Sequence, residues 1–153
     1  MKVRNPFANF KSFYNCCTYF ACIDTFQNET KITSDFLASS VNVNPVIIRK
    51  ILSQLRNAGL VRVQRGSGGA SFARDAKKIT FLDIYNAVEC IENGELFHFH
   101  ENPSQQCPVG RNIHHILDDK LKQVQDALEN ELKHITLADV LQDTHYYIQK
   151  EKP

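Results

Sequence analysis

Basic and amide side chains gather in one stretch of this 153-residue chain, between Asn44 and Thr80. The stretch has eight basic residues and one acidic residue, a net charge of +7, whereas Phe81 to the C-terminus has 13 acidic and 6 basic residues, a net charge of −7. Lysine and arginine neutralise phosphates, and arginine and asparagine also hydrogen-bond to base edges. The chemistry predicted for this stretch is therefore the binding of a polyanion, with nucleic acid as the leading candidate. The basic residues are Arg49, Lys50, Arg56, Arg62, Arg65, Arg74, Lys77 and Lys78.

A helix over residues 44–58 has to position the first of these side chains. Asn44 is a favourable N-cap residue, and Pro45 suits the first helical position. Gly59 is expected to end the helix in a left-handed conformation. Four apolar residues recur at helical spacing and predict a buried stripe: Ile48, Ile51, Leu52 and Leu55. The polar and basic residues of the helix then face outward.

A β-hairpin is expected directly after this helix. Residues 60–64 alternate as a strand does, the glycine-rich run 65–69 predicts the turn, and residues 71–74 are expected to return as the second strand. Upstream, residues 33–41 predict a short helix that pairs with helix 44–58 as a helix-turn-helix. These elements predict a mainly α fold with a small β-wing at 61–74, which is a winged helix-turn-helix.

The remaining helices are predicted from their apolar residues and caps. A first helix is expected to turn an aromatic face to the core, through Phe10, Phe13, Tyr14, Cys17 and Phe20. Thr80 is expected to cap a helix from Phe81 to Cys90, and Thr136 opens a final helix with a capping-box sequence that ends in Asp139.

A long helix is predicted to begin at Cys107 and Pro108, with apolar residues at helical period as far as Ile135. At 1.5 Å per residue it would be about 40 Å long, more than the small winged helix-turn-helix domain can cover. A second copy of the helix is the expected cover, as in coiled-coil seams, so the chain is predicted to form a homodimer. Residues 1–90 would then be the DNA-binding domain, and residues 91–153 a loop and the dimerisation helices.

Several protein classes are disfavoured by the composition. The longest apolar stretch, Phe13 to Ile23, is too short to span a bilayer, so no membrane association is expected. The five cysteines are odd in number, and Cys16, Cys17 and Cys22 share one predicted helix, which fits a reducing cytoplasm. No Ser/His/Asp arrangement or pair of suitably placed carboxylates predicts an enzyme, and the glycine-rich turn lacks the lysine and helix of a P-loop.

Four motifs together resemble the Rrf family of bacterial transcription regulators, and most of all its YwnA-like branch. They are Asn44-Pro-x-x-Ile-Arg-Lys-Ile-Leu-x-x-Leu-x-x-Ala-Gly-Leu-Val61, Arg65-Gly-Ser-Gly-Gly-Ala70, Ile79-Thr-Phe-Leu-Asp-Ile-Tyr-x-Ala-Val88 and Cys107-Pro-Val-Gly-Arg-Asn-Ile113. The resemblance covers nearly the whole chain. It implies a homodimeric winged-helix repressor in which the long helix of each chain crosses its partner.

The candidate DNA-binding residues lie at the start of the third helix and in the wing. In a winged helix the third helix enters the major groove, and a dimer binds two half-sites related by dyad symmetry, roughly 34–36 Å apart. Arg49 and Asn44 have the donors to read guanine or adenine, and Val46 or Ile47 could touch a thymine methyl group. Arg65 would grip a phosphate or enter a minor groove. The full set is Asn44, Pro45, Val46, Ile47, Arg49, Lys50, Arg65, Gly66, Ser67 and Gly68.

Cysteines and histidines near the long helix raise the question of a cofactor. Cluster-binding members of the family carry three closely spaced cysteines before this helix, whereas here Cys90 and Cys107 have no other cysteine between them. Two thiolates do not hold an iron–sulfur cluster without further ligands, so no cofactor is expected. His98 and His100 with Cys107 leave a mononuclear metal site open as an alternative.

Two alternative functions also stay open. Cys107 would sit at a helix N-terminus, where the helix dipole favours a thiolate, so it could act as a redox sensor or simply cap the helix. The winged helix could instead bind a protein partner. A protein-binding wing has no need of a +7 segment, so a sequence-specific DNA-binding regulator is the leading interpretation.

Overall fold

The computed structural model of the chain describes residues 7–64, 69–88 and 102–151. Within these ranges it is mainly helical, with a two-stranded antiparallel sheet, as predicted. The elements in chain order are α1 (Phe7–Phe26), α2 (Ser34–Val41), α3 (Pro45–Asn57), β1 (Val61–Gln64), β2 (Gly69–Phe72), a 3-10 helix (Ala76–Lys78), α4 (Phe81–Ala87), α5 (Pro108–His134) and α6 (Leu137–Lys150).

Side-chain caps start the helices where the sequence predicts. The Thr80 hydroxyl accepts from the Asp83 N–H at 3.2 Å, and the Asp83 carboxylate accepts from the Thr80 N–H at 2.9 Å. Thr136 and Asp139 form the same reciprocal pair at the start of α6. The two capped starts also bridge each other, since the Leu137 N–H donates to the Ile79 carbonyl at 2.7 Å. Each capping box satisfies N–H groups that a helix start otherwise leaves without partners.

The core lies among α1–α4, the hairpin and the start of α6. Its fully buried large side chains are Tyr19, Phe20, Ile23, Leu37, Ile48, Ile51, Leu55, Leu60, Ile79, Ile84, Tyr85 and Leu137. The prediction that Tyr14 faces this core is wrong, because its side chain is 72% exposed. Helix α1 is apolar on most sides, so spacing alone does not identify the face that Cys16, Tyr19 and Ile23 bury. The side chain of Phe10 lies outside the described part of the chain.

The hairpin joins the core through its returning strand. β1 pairs with β2 in the register Val61↔Phe72 and Gln64↔Gly69, so β2 begins and ends two residues earlier than predicted. The Phe72 ring stacks on Phe20 of α1 with centroids 5.8 Å apart. Beyond β2 the chain bends and forms the 3-10 helix, which the sequence analysis did not predict.

Helices α5 and α6 differ in how closely they pack against the rest of the described chain. α6 packs against α1 and the 3-10 helix, and it buries Leu137 and Leu141 in the core. Of the 27 residues of α5, all of them described, none is buried. Within residues 7–64, 69–88 and 102–151, none of the helices combines the length and apolarity needed to cross a bilayer.

Candidate nucleic-acid interface

Helix α3 is held so that one face is buried and the other faces solvent. The predicted stripe is fully formed, since Ile48 and Leu55 are 0%, Ile51 2% and Leu52 6% exposed. Burial of four such side chains fixes the rotation of α3 about its own axis. The opposite face, which carries the predicted DNA-binding residues, is therefore presented outward.

The turn that leads into α3 is built from capping residues. Asn42 adopts a left-handed conformation (φ 51°) at the end of α2, as asparagine does at low cost. Asn44 is the N-cap of α3, and its Oδ1 accepts from the Val46 N–H at 2.8 Å. Pro45 occupies the first turn, where its missing N–H is not needed. Together α2 and α3 form the predicted helix-turn-helix.

The first turn of α3 exposes two large apolar side chains. Val46 is 65% and Ile47 48% exposed, although the structure offers a core on the other side of the same helix. Apolar side chains of this kind at the start of a recognition helix suit contact with the C5-methyl group of thymine. Val46 and Ile47 are therefore accessible to a ligand, and their contact with thymine stays a prediction.

The two cations of the first turns of α3 lie next to this apolar pair. Lys50 and Arg49 are both exposed. Arg49 is not isolated, because its Nε donates to the Ser34 hydroxyl at 3.3 Å and its Nη2 lies 3.6 Å from the Asp35 carboxylate. Sequence reasoning missed Ser34 and Asp35. Ser34 lies 15 residues before Arg49, on the other side of the turn between α2 and α3, and no local sequence pattern connects residues that far apart.

Asn44 has a structural role that bears on its predicted DNA contact. A bidentate contact with adenine uses both the carbonyl oxygen and the amide NH₂ of asparagine. In this structure the carbonyl oxygen already accepts the Val46 N–H. Asn44 can therefore offer DNA its NH₂ group while it caps α3, but a two-bond contact with adenine would compete with the cap.

The wing is described up to both ends of its tip. Gln64 and Gly69 face each other as the last register pair, and the predicted residues Arg65, Gly66, Ser67 and Gly68 lie between them, outside the described residues. Gly69 has φ +74°, and a Cβ there would lie 2.9 Å from the backbone nitrogen and oxygen of Ile32. The Ala70 N–H donates to the Ile32 carbonyl at 2.9 Å. Glycine is thus required at 69 for the wing to pack this closely against the Ile32 backbone.

The described cations of the +7 segment are all exposed on the surface. They are Arg49, Lys50, Arg56, Arg62, Arg74, Lys77 and Lys78. Asp75, the one acidic residue among them, is engaged with its own backbone, since its Oδ1 accepts from the Lys77 N–H at 2.9 Å. Exposed cations with so few carboxylates nearby in sequence are suited to neutralising phosphates.

Cys107 is the exposed thiol of the described part of the chain, at the N-cap position of α5. The backbone N–H groups of Gly110 and Val109 lower the pKa of this thiol from its ordinary value. The opposite holds for α1, where burial raises the pKa of Cys17 to about 11. A lowered pKa increases the thiolate fraction, which is the form that oxidants attack.

A helix-turn-helix with an outward recognition helix, followed by a two-stranded hairpin, defines the chain as a winged helix-turn-helix protein. Residues 13–143 match the family model described as Rrf2, iron-dependent transcriptional regulator. The chain belongs to the Rrf2 family of transcriptional regulators.

Individual relatives agree with this assignment. The chain is 42% identical over 113 residues to the candidate HTH-type transcriptional regulator YwnA of Bacillus subtilis, covering 74% of this chain and 84% of YwnA. A crystal structure of a candidate DNA-binding protein is 33% identical, with a TM-score of 0.64, over 83% of this chain and 98% of that chain. A candidate transcriptional regulator from Lactobacillus plantarum shares the fold at 23% identity, with a TM-score of 0.71, over 93% and 98% of the two chains.

The family description names iron, which proteins bind through groups of His, Cys, Asp or Glu side chains. Within residues 7–64, 69–88 and 102–151, no three His, Cys, Asp or Glu side chains come together in a group that could hold a metal ion. Cys90, His98 and His100 lie outside those residues. The donor set of the described residues does not fit an iron ion or a cluster, which needs at least three or four close ligands.

Proposed function

We propose that this chain is a homodimeric repressor that binds a double-stranded DNA operator with dyad symmetry, without a cofactor. The observation that carries the proposal is the outward face of α3, where Val46 and Ile47 are exposed beside Arg49 and Lys50. A DNA operator as the partner implies that the protein acts in the cytoplasm, and binding alone, without catalysis, accounts for its function.

The proposed contacts divide into those that read bases and those that position the protein. The start of α3 enters the major groove, where Arg49 reads guanine and Val46 or Ile47 contacts a thymine methyl group. Pro45 and Asn44 set the backbone of that first turn and bring the amide NH₂ of Asn44 to the DNA. Lys50 is a further candidate for reading bases beside Arg49. Four other cations neutralise phosphates: Arg62, Arg74, Lys77 and Lys78.

The wing tip supplies the second proposed contact. The run from Arg65 to Gly68 joins two strands whose last described pair is Gln64 and Gly69. Arg65 is proposed to enter a minor groove or grip a phosphate, while Gly66, Ser67 and Gly68 allow the backbone to approach the DNA closely. This contact comes from the sequence, and it stays a prediction.

Dimerisation is proposed from the exposed stripe of α5. Val109, Ile116, Leu117 and Val124 are 61%, 44%, 38% and 53% exposed, although they keep a helical period. Helix α5 has 27 residues and a length of about 40 Å, so pairing with a second copy would bury a long apolar seam. Two winged helix-turn-helix domains joined in this way would bind two half-sites roughly 34–36 Å apart or a multiple of that distance.

The experiment that tests the proposal selects bound sequences from a random DNA pool and then measures affinity by gel shift at physiological salt. Arg65→Ala is expected to weaken operator binding by about 1–3 kcal/mol while the dimer persists. Lys133→Ala, which removes an exposed cation at the far end of α5, is the matched control and should leave affinity unchanged. Equal affinity of Arg65→Ala and wild type would remove Arg65 from the interface.

A protein-binding winged helix is distinguished by the dependence of binding on salt. DNA binding that neutralises several phosphates weakens steeply as salt rises, because counterions are released. Selected sequences without dyad symmetry, or affinity for DNA that is independent of salt, would contradict the proposed operator.

Cys107 supports a second candidate function, a thiol-responsive regulator. Its thiol is exposed and its pKa is lowered, and it stands at the first turn of the helix proposed to pair the two chains. Peroxide would convert the thiolate to a sulfenic acid, with the peroxide reduced to water. Operator binding by wild type should fall after peroxide treatment, whereas Cys107→Ser should keep its affinity; equal responses would end this hypothesis.

A further inference from the structure

One edge of the Arg49 guanidinium is engaged by the start of α2. Nε donates to the Ser34 hydroxyl at 3.3 Å, and Nη2 lies 3.6 Å from Oδ1 of Asp35. Nε and Nη2 share one edge of the planar guanidinium, so that edge is turned toward α2. The end formed by Nη1 and the outer hydrogen of Nη2 is engaged by neither residue. This end carries two parallel N–H donors.

The position of Asp35 in the sequence is unusual. It is the only acidic residue between Thr30 and Arg74, in the segment that contains the helix-turn-helix and the wing. Its side chain is 77% and that of Arg49 62% exposed, and ion pairs this exposed contribute little to the free energy of unfolding. A carboxylate in this place also repels DNA phosphates. Asp35 also lies in the first turn of α2, where a carboxylate stabilises a helix modestly. Its effect on Arg49 is therefore on how the guanidinium is presented.

We infer that Asp35, helped by Ser34, is a positioning residue that makes Arg49 a reader of guanine. The inference rests on the proposed function of α3 as the recognition helix. Two parallel N–H donors match O6 and N7 of guanine in the major groove. An arginine without such a partner can turn to the phosphates, which carry no base information. Since capping engages the Asn44 carbonyl, Arg49 is the side chain of α3 best placed for a two-bond contact.

Removal of the carboxylate should separate specificity from affinity. Asp35→Ala is expected to lower the preference for G·C at one position of each half-site by about tenfold, within the range that a bidentate contact provides. Its affinity for DNA of unrelated sequence should stay equal or rise, because a negative charge is lost. Ser34→Ala, which removes only the Nε partner, should lower the same preference less. Arg49→Ala should abolish it.

The experiment measures the affinity of the full-length chain for the selected operator and for its single-base-pair variants, with unrelated DNA as reference. Asp143→Ala is the matched control, since it removes one exposed carboxylate from α6, and its base preferences should equal those of wild type. Circular dichroism and thermal unfolding check that each variant is folded.

The outcomes separate this inference from the proposed function. Loss of the guanine preference in Asp35→Ala at the position that Arg49→Ala also affects, with other positions unchanged, supports the positioning role. Full retention of that preference, or an equal change at every position, overturns it while operator binding stands. If wild type binds all sequences alike, the proposed function itself fails and the inference falls with it.

Discussion

Helices α3 and α5 begin with similar sequences and lie in different surroundings, although the side chain of Asn44 caps α3 and that of Cys107 makes no capping hydrogen bond at α5. Each starts with a capping position followed by proline, and each carries apolar residues at helical spacing. The α3 stripe is 0–6% exposed, whereas α5 has no buried residue among its 27, all of which the structure describes. Leu55 of α3 is 0% exposed and Leu117 of α5 38%. The described residues thus cover the stripe of α3 fully, whereas they leave the stripe of α5 largely exposed.

This difference shows what an apolar stripe determines. Burial of a large apolar side chain is favourable by roughly 1.5–3 kcal/mol, so a stripe predicts that something covers it. The stripe does not identify the cover. For α3 it is the core formed with α2, α4 and the hairpin; for α5 we propose a second copy of the chain. The pair of helices therefore predicts two different responses to mutation.

The largest effect is expected in the covered stripe. Leu55→Ala should lower the free energy of unfolding by about 2–5 kcal/mol, because it leaves a cavity in a packed core. Urea denaturation followed by circular dichroism, at fixed protein concentration, measures this change. Arg56→Ala, at the adjacent exposed position, is the control and should change stability by less than about 0.5 kcal/mol. A small effect of Leu55→Ala would show that the α3 stripe is not closely packed.

The next largest effect is expected in the uncovered stripe. Leu117→Glu would place an unpaired charge in the proposed seam and should weaken dimerisation by about 3 kcal/mol, roughly a hundredfold in the dissociation constant. The winged helix-turn-helix part of each chain should still fold. Sedimentation equilibrium measures the change. His115→Glu adds the same charge two residues away on the opposite side of α5 and should leave the dimer intact. Equal masses for the two variants would contradict pairing through this stripe.

A smaller effect is expected where the wing packs against the Ile32 backbone, and two glycines provide a matched test of that contact. Gly69→Ala and Gly59→Ala both place a side chain at a positive φ, +74° and +70°, which costs about 1–2 kcal/mol. At Gly69 the new Cβ also meets the Ile32 backbone at 2.9 Å, whereas at Gly59 nothing lies within 4 Å. Gly69→Ala should therefore be the less stable variant, by about 1–3 kcal/mol in thermal or urea unfolding. Equal stabilities would mean that the wing does not dock closely on Ile32.

The smallest effect is expected in the reactivity of two cysteine thiols, one half-buried in α1 (Cys17) and one exposed at the start of α5 (Cys107). Alkylation by iodoacetamide requires the thiolate, so its rate rises as pH passes through the pKa. Burial raises the pKa of Cys17 to about 11, whereas the N–H groups of Gly110 and Val109 lower the pKa of Cys107 from its ordinary value. At pH 8 Cys107 should be labelled first and Cys17 should be nearly unreactive. Mass spectrometry of peptides labelled between pH 6 and 10 measures both, with Cys107→Ser as the control; equal rates would contradict the contrast.

Local sequence predicts the starts of these elements well. Asn44, Thr80 and Thr136 cap the helices that the sequence predicts them to cap, because the capping hydrogen bond involves residues only two or three apart. The α3 stripe also follows from the sequence, since Ile48, Ile51, Leu52 and Leu55 recur at helical spacing and polar residues fill most of the remaining positions from Arg49 to Asn57. The candidate residues from Asn44 to Lys50 follow from this helix, and their DNA contacts stay predictions.

Contacts between distant residues were not predictable in this way. Tyr14 was assigned to the core because α1 is apolar nearly all round, and only the packing of the other helices decides its buried face. The position of α6 is another example: His145 Nε2 lies 2.6 Å from the Asp24 carboxylate, 121 residues away. The Asp35–Arg49 pair has the same origin. Such contacts depend on the tertiary arrangement, which no single stretch of sequence contains.

The mass of the protein–DNA complex tests the central claim most directly. Sedimentation velocity of the full-length chain with its selected operator should give two chains per duplex, and Leu117→Glu should need a much higher protein concentration to reach the same complex. One chain per duplex for wild type, with full affinity and specificity, would contradict a regulator that reads two half-sites through paired α5 helices.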